Sequence, residues 1–137
     1  MAVPNSSPPW VRAMEVVIVV GTTPVPTMAT TETASGDIGN YSGSAQTYQS
    51  VATWTVAADK VGELKQILII SDEYDHTEIR ITIAGVVQET DWNPTSAMPL
   101  IYQDVKLEAG DVVLVEAQSD DGTAIDVDAV IVGKEIG

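Results

Sequence analysis

The single histidine of the chain, His76, is the side chain best suited to general-base chemistry at neutral pH. It ends an acidic run, DEYDH, at residues 72–76. A Ser–His–Asp enzyme needs this histidine beside a serine nucleophile, yet no G-x-S-x-G motif is present to expose one. Asp72, Asp75 and His76 could instead bind a metal, although a plain polar turn has the same composition. We therefore predict no catalytic residue.

Four aspartates near the C-terminus are further candidates for chemistry: Asp120, Asp121, Asp126 and Asp128. The first two begin an Asp-Asp-Gly-Thr run similar to a fragment of a calcium loop, without the twelve-residue spacing and terminal glutamate of an EF-hand. The last two alternate along one strand, roughly 7 Å apart, and paired carboxylates can hydrolyse glycosides. Solvated carboxylates explain both features as well. We predict no cofactor and no metal, and we keep these four aspartates as candidate metal ligands.

The elements around these aspartates are two alternating segments on either side of a turn at residues 119–123. One side of the alternation is apolar in both segments, and its members are Val113, Val115, Ala117, Ile125, Val127, Ala129 and Ile131. Side chains of a strand alternate between two faces, so this pattern predicts a hairpin with one apolar face. Further strands must cover that face, because a hairpin alone cannot bury it.

Short apolar or alternating segments continue through the rest of the chain. They occupy residues 15–20, 51–57, 64–71, 78–83, 86–87 and 100–105, with turn residues between most of them. About eight strands and no helix predict an all-β fold: a single jelly-roll-like β-sandwich, with a seven-stranded immunoglobulin-like sandwich as the alternative. Trp54 falls on the apolar side of its strand, so we expect it in the core. A sugar-binding platform of Trp54, Trp92, Tyr74 and Tyr102 is the competing interpretation.

The first fifty residues differ from the remainder in composition. We predict an extended arm at residues 1–14, a strand plus a long Thr/Ser/Gly-rich connection at 15–50, and the sandwich core at 51–137. Trp10 in a proline-rich arm favours docking on another chain, although it could also fold back on its own domain. Strands that are apolar on both faces, at 16–20 and 67–70, predict a subunit interface or cover by the connection. The candidate partner-binding residues are Pro8, Pro9, Trp10, Val16, Ile18 and Val20.

Charge and composition exclude several classes of function. The chain of 137 residues has 20 acidic and 6 basic residues, for a net charge of −14. Such a chain repels nucleic acid and anionic membranes, because both need basic contacts, and it favours a basic partner or bound cations. The absence of cysteine excludes disulfides and thiol catalysis. No apolar stretch reaches the roughly 18 residues of a membrane helix, and we expect no export signal.

Three segments resemble a known class of virion protein. They are TWTVAADKVGELKQILIISD, TEIRITIAGVVQ and LEAGDVVLVEAQSDDGTAIDVDAVIVGKEIG, which together cover much of residues 51–137. They are similar to the small jelly-roll decoration, or cement, proteins of tailed-phage capsids. The resemblance implies a non-enzymatic homotrimer on the capsid exterior, bound to the major capsid protein, with an N-terminal arm that reaches a neighbour. The alternative is a phage fibre, receptor-binding or carbohydrate-binding β-sandwich module.

Overall fold

A computed structural model describes residues 31–137 of the chain. The predicted arm with Pro8, Pro9 and Trp10, and the predicted strand with Val16, Ile18 and Val20, lie outside the described residues. The described part has eight strands: β1 (Glu32–Gly43), β2 (Gln49–Thr55), β3 (Val61–Ser71), β4 (Thr77–Ile83), β5 (Val86–Trp92), β6 (Met98–Leu107), β7 (Val112–Ser119) and β8 (Ile125–Ile136). Its one helical element is a 3-10 turn at Tyr74–His76.

The strands form two four-stranded antiparallel sheets. Sheet A has the order β1-β8-β3-β6, and sheet B has the order β2-β7-β4-β5. Consecutive strands from β1 to β4 alternate between the two sheets, as do those from β5 to β8, which is the strand order of a jelly roll. The predicted all-β jelly-roll sandwich is therefore confirmed. In the described part of the chain, no helix has the length and apolarity needed to cross a membrane.

The core fills the space between the two sheets. Each sheet contributes the apolar side of its alternation: β4 has Ile79, Ile81 and Ile83 inward, and β8 has Val127 and Ala129 inward, all buried. Trp54 is also buried, at 3% exposure, and its indole Nε1 donates a hydrogen bond to Glu135 Oε2 at 3.0 Å. The predicted core position of Trp54 is thus confirmed, and the indole has the polar partner that a buried tryptophan requires.

The predicted hairpin between β7 and β8 is wrong. Strand β7 pairs with β2 and β4 in sheet B, whereas β8 pairs with β1 and β3 in sheet A. The turn at residues 119–123 therefore crosses from one sheet to the other. Alternation identified the buried residues correctly because both strands face the same core. It carries no information about which strands are hydrogen-bonded neighbours.

The predicted boundary of the sandwich also needs correction. Residues 32–43 were predicted to lie in a connection without regular structure, but they form β1, which pairs with β8 over its whole length. The sequence ETASGDIGNYSG has few apolar residues, and β1 is held by backbone pairing at the edge of sheet A. Likewise, β5 extends to Trp92 into a predicted loop. Seven of the eight strands described within residues 31–137 were predicted, and β1 is the addition; the predicted strand at 15–20 lies outside the described residues.

A buried pair of hydroxyls joins the sheets where β3 leads into β4. Ser71 ends β3 in sheet A, Thr77 begins β4 in sheet B, and their oxygens lie 2.7 Å apart. Thr77 Oγ1 donates to the carbonyl of Glu73 at 2.7 Å, and the amide of Glu73 donates to Ser71 Oγ at 3.1 Å. Both hydroxyl residues are buried. These hydrogen bonds fix the segment that carries His76.

Candidate functional site

The outer face of sheet A carries a row of apolar side chains that no described residue covers. Strand register places them side by side: Val132 of β8 lies opposite Gln66 of β3, which in turn lies opposite Ile101 of β6. One row further along, Ile38 of β1 pairs with Val130. We name this surface the aliphatic face, and its members are Ile38, Leu68, Ile70, Ile101, Val130 and Val132.

Several members of the aliphatic face are strongly exposed. Ile38 is 77% exposed, Ile101 is 64% exposed, and Ile70 and Val132 are each above 40%. This geometry explains why the strand at 67–70 is apolar on both faces. Ile67 and Ile69 point into the core, whereas Leu68 and Ile70 point outward. A contiguous exposed aliphatic surface of this kind is a candidate interaction site, because ordinary surfaces expose apolar residues singly.

The aliphatic face has an acidic end. Asp126 and Asp128 stand on β8, and Asn40 of β1 donates from its Nδ2 to Asp126 Oδ1 at 2.5 Å and to Asp128 Oδ1 at 2.9 Å. Asp72 follows β3 at the same end, and its Oδ1 accepts from the amide of Asp126 at 2.8 Å. The sequence-based interpretation of Asp126 and Asp128 as one outward pair is confirmed, and the fold adds a third carboxylate.

The opposite end of the aliphatic face holds three of the six basic residues of the chain: Lys65, Lys106 and Lys134. Glu63 lies opposite both Lys106 and Lys134 in the register, and Lys65 Nζ approaches Glu63 Oε1 to 2.5 Å. The hydrogen bond from Lys65 lowers the pKa of Glu63, and the hydrogen bond to Glu32 raises the pKa of Lys134. Both shifts favour the charged forms of Glu63 and Lys134.

The single histidine meets two of the predicted candidate ligands. His76 Nδ1 lies 3.1 Å from Asp120 Oδ1 and 3.3 Å from Asp121 Oδ2, and these three form the one group of metal-ligand side chains within the described residues. The pKa of His76 is raised, chiefly by its hydrogen bond to Asp120. Forty-four residues separate these two side chains, so no local motif could have predicted their contact.

Neither predicted set of metal ligands assembles as proposed from the sequence. The aspartates separate into two groups, because Asp120 and Asp121 contact His76 in the inter-sheet turn, whereas Asp126 and Asp128 point outward from sheet A and contact Asn40. No hydrogen bond joins His76 to a serine or threonine hydroxyl in the part of the chain that is described.

The outer face of sheet B carries a cluster of polar and charged side chains. The Arg80 guanidinium lies 4.3 Å from the centre of the Tyr48 ring and donates to Glu116 Oε1 at 2.8 Å. The Tyr48 hydroxyl lies 2.5 Å from Asp91 Oδ1 and accepts from the Asp91 amide at 2.7 Å. Burial is the main cause of the raised pKa of Tyr48. We name these four residues the Tyr48 cluster.

The aromatic platform considered as an alternative is not formed by the residues that suggested it. Trp54 is buried in the core, and Trp92 and Tyr102 are half-buried against the core. Tyr74 lies in the 3-10 turn and is half-buried. Tyr48, which sequence analysis did not single out, is the aromatic residue that meets a cluster of polar side chains on an outer face.

Comparison with known proteins gives a distant structural likeness. The chain matches no protein-family model and no curated protein. Among solved structures, it is similar to the CBM36-1 domain of a multidomain xylanase from the hindgut metagenome of Trinervitermes trinervoides. The match has 17% sequence identity and a TM-score of 0.38, and it covers 78% of this chain and 97% of that chain. A likeness at this level carries no argument about ligand or activity.

Proposed function

We propose that the chain is a structural virion protein: a capsid decoration, or cement, subunit that docks on the outer surface of a capsid shell and stabilises it. The observation that carries the proposal is the aliphatic face of sheet A. Its outward side chains, such as Ile38 and Ile101, expose aliphatic rather than aromatic surface, which suits contact with another protein. The role is non-enzymatic.

The remaining parts of the proposal follow from charge and from the phage resemblance. The partner is the major capsid protein, and the subunit acts as a homotrimer on the exterior of the virion. A net charge of −14 suits a basic patch on that partner and opposes contact with nucleic acid or anionic lipid. Residues 1–14 serve as an arm that reaches a neighbouring chain.

The proposal is tested by binding the full chain to bare capsid shells and measuring occupancy by co-sedimentation. We expect Ile70→Glu to lose binding, because it places a charge within the aliphatic face. Val87→Glu is the matched control, since Val87 is 52% exposed on the other sheet. Washing in about 1 M salt, where the Debye length falls to about 3 Å, should leave most of the protein bound. Equal binding by both variants, or complete release by salt, would contradict docking through this face.

A second candidate is a phage fibre, receptor-binding or carbohydrate-binding module. The observation that favours it is the Tyr48 cluster, in which one aromatic ring stands among charged and hydrogen-bonding groups on an open sheet face. Small-ligand sites usually combine apolar or aromatic surface with a small number of polar groups. Under this proposal, Tyr48 and Arg80 would contact a glycan.

The two candidates are separated by a glycan array with wild-type protein and a Tyr48→Ala variant. If Tyr48→Ala abolishes glycan binding and Ile70→Glu leaves it intact, the carbohydrate module is favoured. If Ile70→Glu abolishes shell binding and Tyr48→Ala leaves it intact, the decoration subunit is favoured. An array without hits removes the support for the second candidate.

A further inference from the structure

We propose that the aliphatic face is a self-complementary surface, on which a second copy of the chain packs face to face about a two-fold axis. The proposal goes beyond the proposed function, because it names a second copy of the chain as the partner of this face when no shell occupies it. The axis lies in the plane of the contact and runs across the strands. Three independent features of the face support this arrangement: its row order, its shape and its charge.

The strand register defines where the proposed axis lies. One row across sheet A contains Gly36, Val132, Gln66 and Ile101, and the next row contains Ile38, Val130, Leu68 and Pro99. A two-fold axis between these rows places each strand over its own copy with the direction reversed. Val130 then lies over Val132 of the second copy, and Leu68 lies over the stem of Gln66. Two sheets in such a contact keep their strands within about 30° of each other.

The shape of the face fits the same axis. Ile38 is the most exposed of the large apolar residues described, at 77% exposure. Two residues earlier on β1, Gly36 has φ of 139°, and a Cβ built there would lie 1.9 Å from the carbonyl oxygen of Ile131. A shallow depression surrounds this glycine, lined also by Ala34, Val130 and Val132. The axis places the Ile38 side chain of one copy over the Gly36 depression of the other, twice per pair.

Charge complementarity supports a second copy of the chain as the partner. Six residues separate Asp128 from Lys134 along β8, or about 20 Å. The axis brings Asp128 of one copy over Lys134 of the other, at the end where three lysines lie with Glu32 and Glu63. By symmetry each such contact occurs twice, as in any isologous pair. A chain of net charge −14 would otherwise be repelled by its own copy.

The size of the face sets the strength of the pair. A four-stranded sheet with about 20 Å of usable length and strands about 4.8 Å apart offers less than the roughly 1,600 Å² total of a standard interface. We therefore expect a dissociation constant in the micromolar range or weaker, which corresponds to at most about 8 kcal/mol. Such a pair forms at high protein concentration.

Sedimentation equilibrium of the full chain, over concentrations up to about 1 mM, tests the pair. The apparent mass of the wild-type protein should approach twice that of the Ile38→Glu variant. This ratio is expected whether or not other parts of the chain make further contacts. The control Val87→Glu, on sheet B, should behave as wild type. Lys134→Glu and Asp128→Lys should each weaken pairing by at least about tenfold, because each creates two like-charge contacts. The variant with both changes should recover, since opposite charges face each other again.

Circular dichroism establishes that each variant is folded before its mass is compared. Equal masses for wild type and Ile38→Glu would overturn the proposal, as would a doubly changed variant that pairs no better than either single one. The shell assay keeps this outcome distinct from the proposed function. If the wild-type chain never pairs, and Ile38→Glu abolishes its binding to shells, only self-pairing is overturned. A chain that pairs but does not bind shells overturns decoration and leaves the self-complementary face in place.

Discussion

Replacing Thr77 by valine should destabilise the fold by about 2 kcal/mol, although the two side chains have nearly the same shape. The Thr77 hydroxyl donates to the carbonyl of Glu73, so the Ser71 hydroxyl must donate to Thr77 Oγ1. Valine removes that acceptor, so the buried Ser71 hydroxyl loses the group to which it donates. An unsatisfied buried donor costs about 1–3 kcal/mol. The Glu73 carbonyl keeps the hydrogen bond from the His76 amide, so the total stays near the middle of that range.

A double-mutant cycle makes the reasoning sharper. Ser71→Ala alone should cost about 1 kcal/mol, because the Glu73 amide loses its acceptor while Thr77 keeps its own bond to the Glu73 carbonyl. With both changes no hydroxyl is left unpaired. The double variant should therefore be less stable than Thr77→Val by at most about 0.5 kcal/mol. The coupling between the two positions is then at least about 0.5 kcal/mol.

Urea unfolding at constant pH measures these free energies, with the slope m unchanged if the variants keep the same folded structure. Thr55→Val is the matched control: the same substitution on an exposed position of β2, where the effect should stay within about 0.5 kcal/mol. Strictly additive effects, or a Thr77→Val variant as stable as wild type, would refute the assignment of the buried hydroxyl pair.

Three further predictions concern other parts of the chain. The pKa of His76 is raised in the folded state, so its contact with Asp120 stabilises the fold below about pH 6.5. This stabilisation is lost as the pH rises through the raised pKa. In thermal unfolding, His76→Asn should therefore be less stable than wild type near pH 5.5 and equally stable near pH 9. Gly133→Ala should destabilise by about 1–3 kcal/mol in urea, because a Cβ would lie 2.6 Å from two ring atoms of Trp54, whereas Gly110→Ala meets no atom within 4 Å and costs only its backbone strain. Deletion of residues 1–14 should leave circular dichroism unchanged but lower occupancy on shells, and full occupancy would contradict the arm.

The sequence predicts which residues are buried far better than which strands are neighbours. Alternation marked Ile79 and Val127 as core because solvent and core impose a period of two on any strand between them. Neighbour order depends on which turns cross between sheets, and the turn after β7 has the Asp-Gly of an ordinary hairpin. The crossing is favourable because both inner faces then cover one core, which is a property of the whole chain and not of any local segment.

Strand β1 was missed for a related reason. Its outward and inward positions hold residues such as Gly36, Gly39 and Asn40, so apolar periodicity is absent. The strand is specified instead by close backbone approach. A Cβ at Gly36 or Gly39 would lie less than 2 Å from a carbonyl oxygen, of Ile131 and Val51 respectively. Glycine at such positions allows the edge strand to pack, but in a sequence it has the appearance of a loop.

The two outer faces differ in what a partner must displace, and this difference favours docking on sheet A. On sheet B, Arg80 is already bonded to Glu116 and Tyr48 to Asp91, so a ligand that needs these groups must first break contacts worth up to about 1 kcal/mol each at such exposed positions. On sheet A, burial of Ile38 breaks no hydrogen bond and contributes about 1.5–3 kcal/mol, reduced by the 23% of its surface that is already covered (100% − 77%). The aliphatic face therefore gains free energy with any protein surface of matching shape, whereas the Tyr48 cluster requires a ligand that replaces its hydrogen bonds.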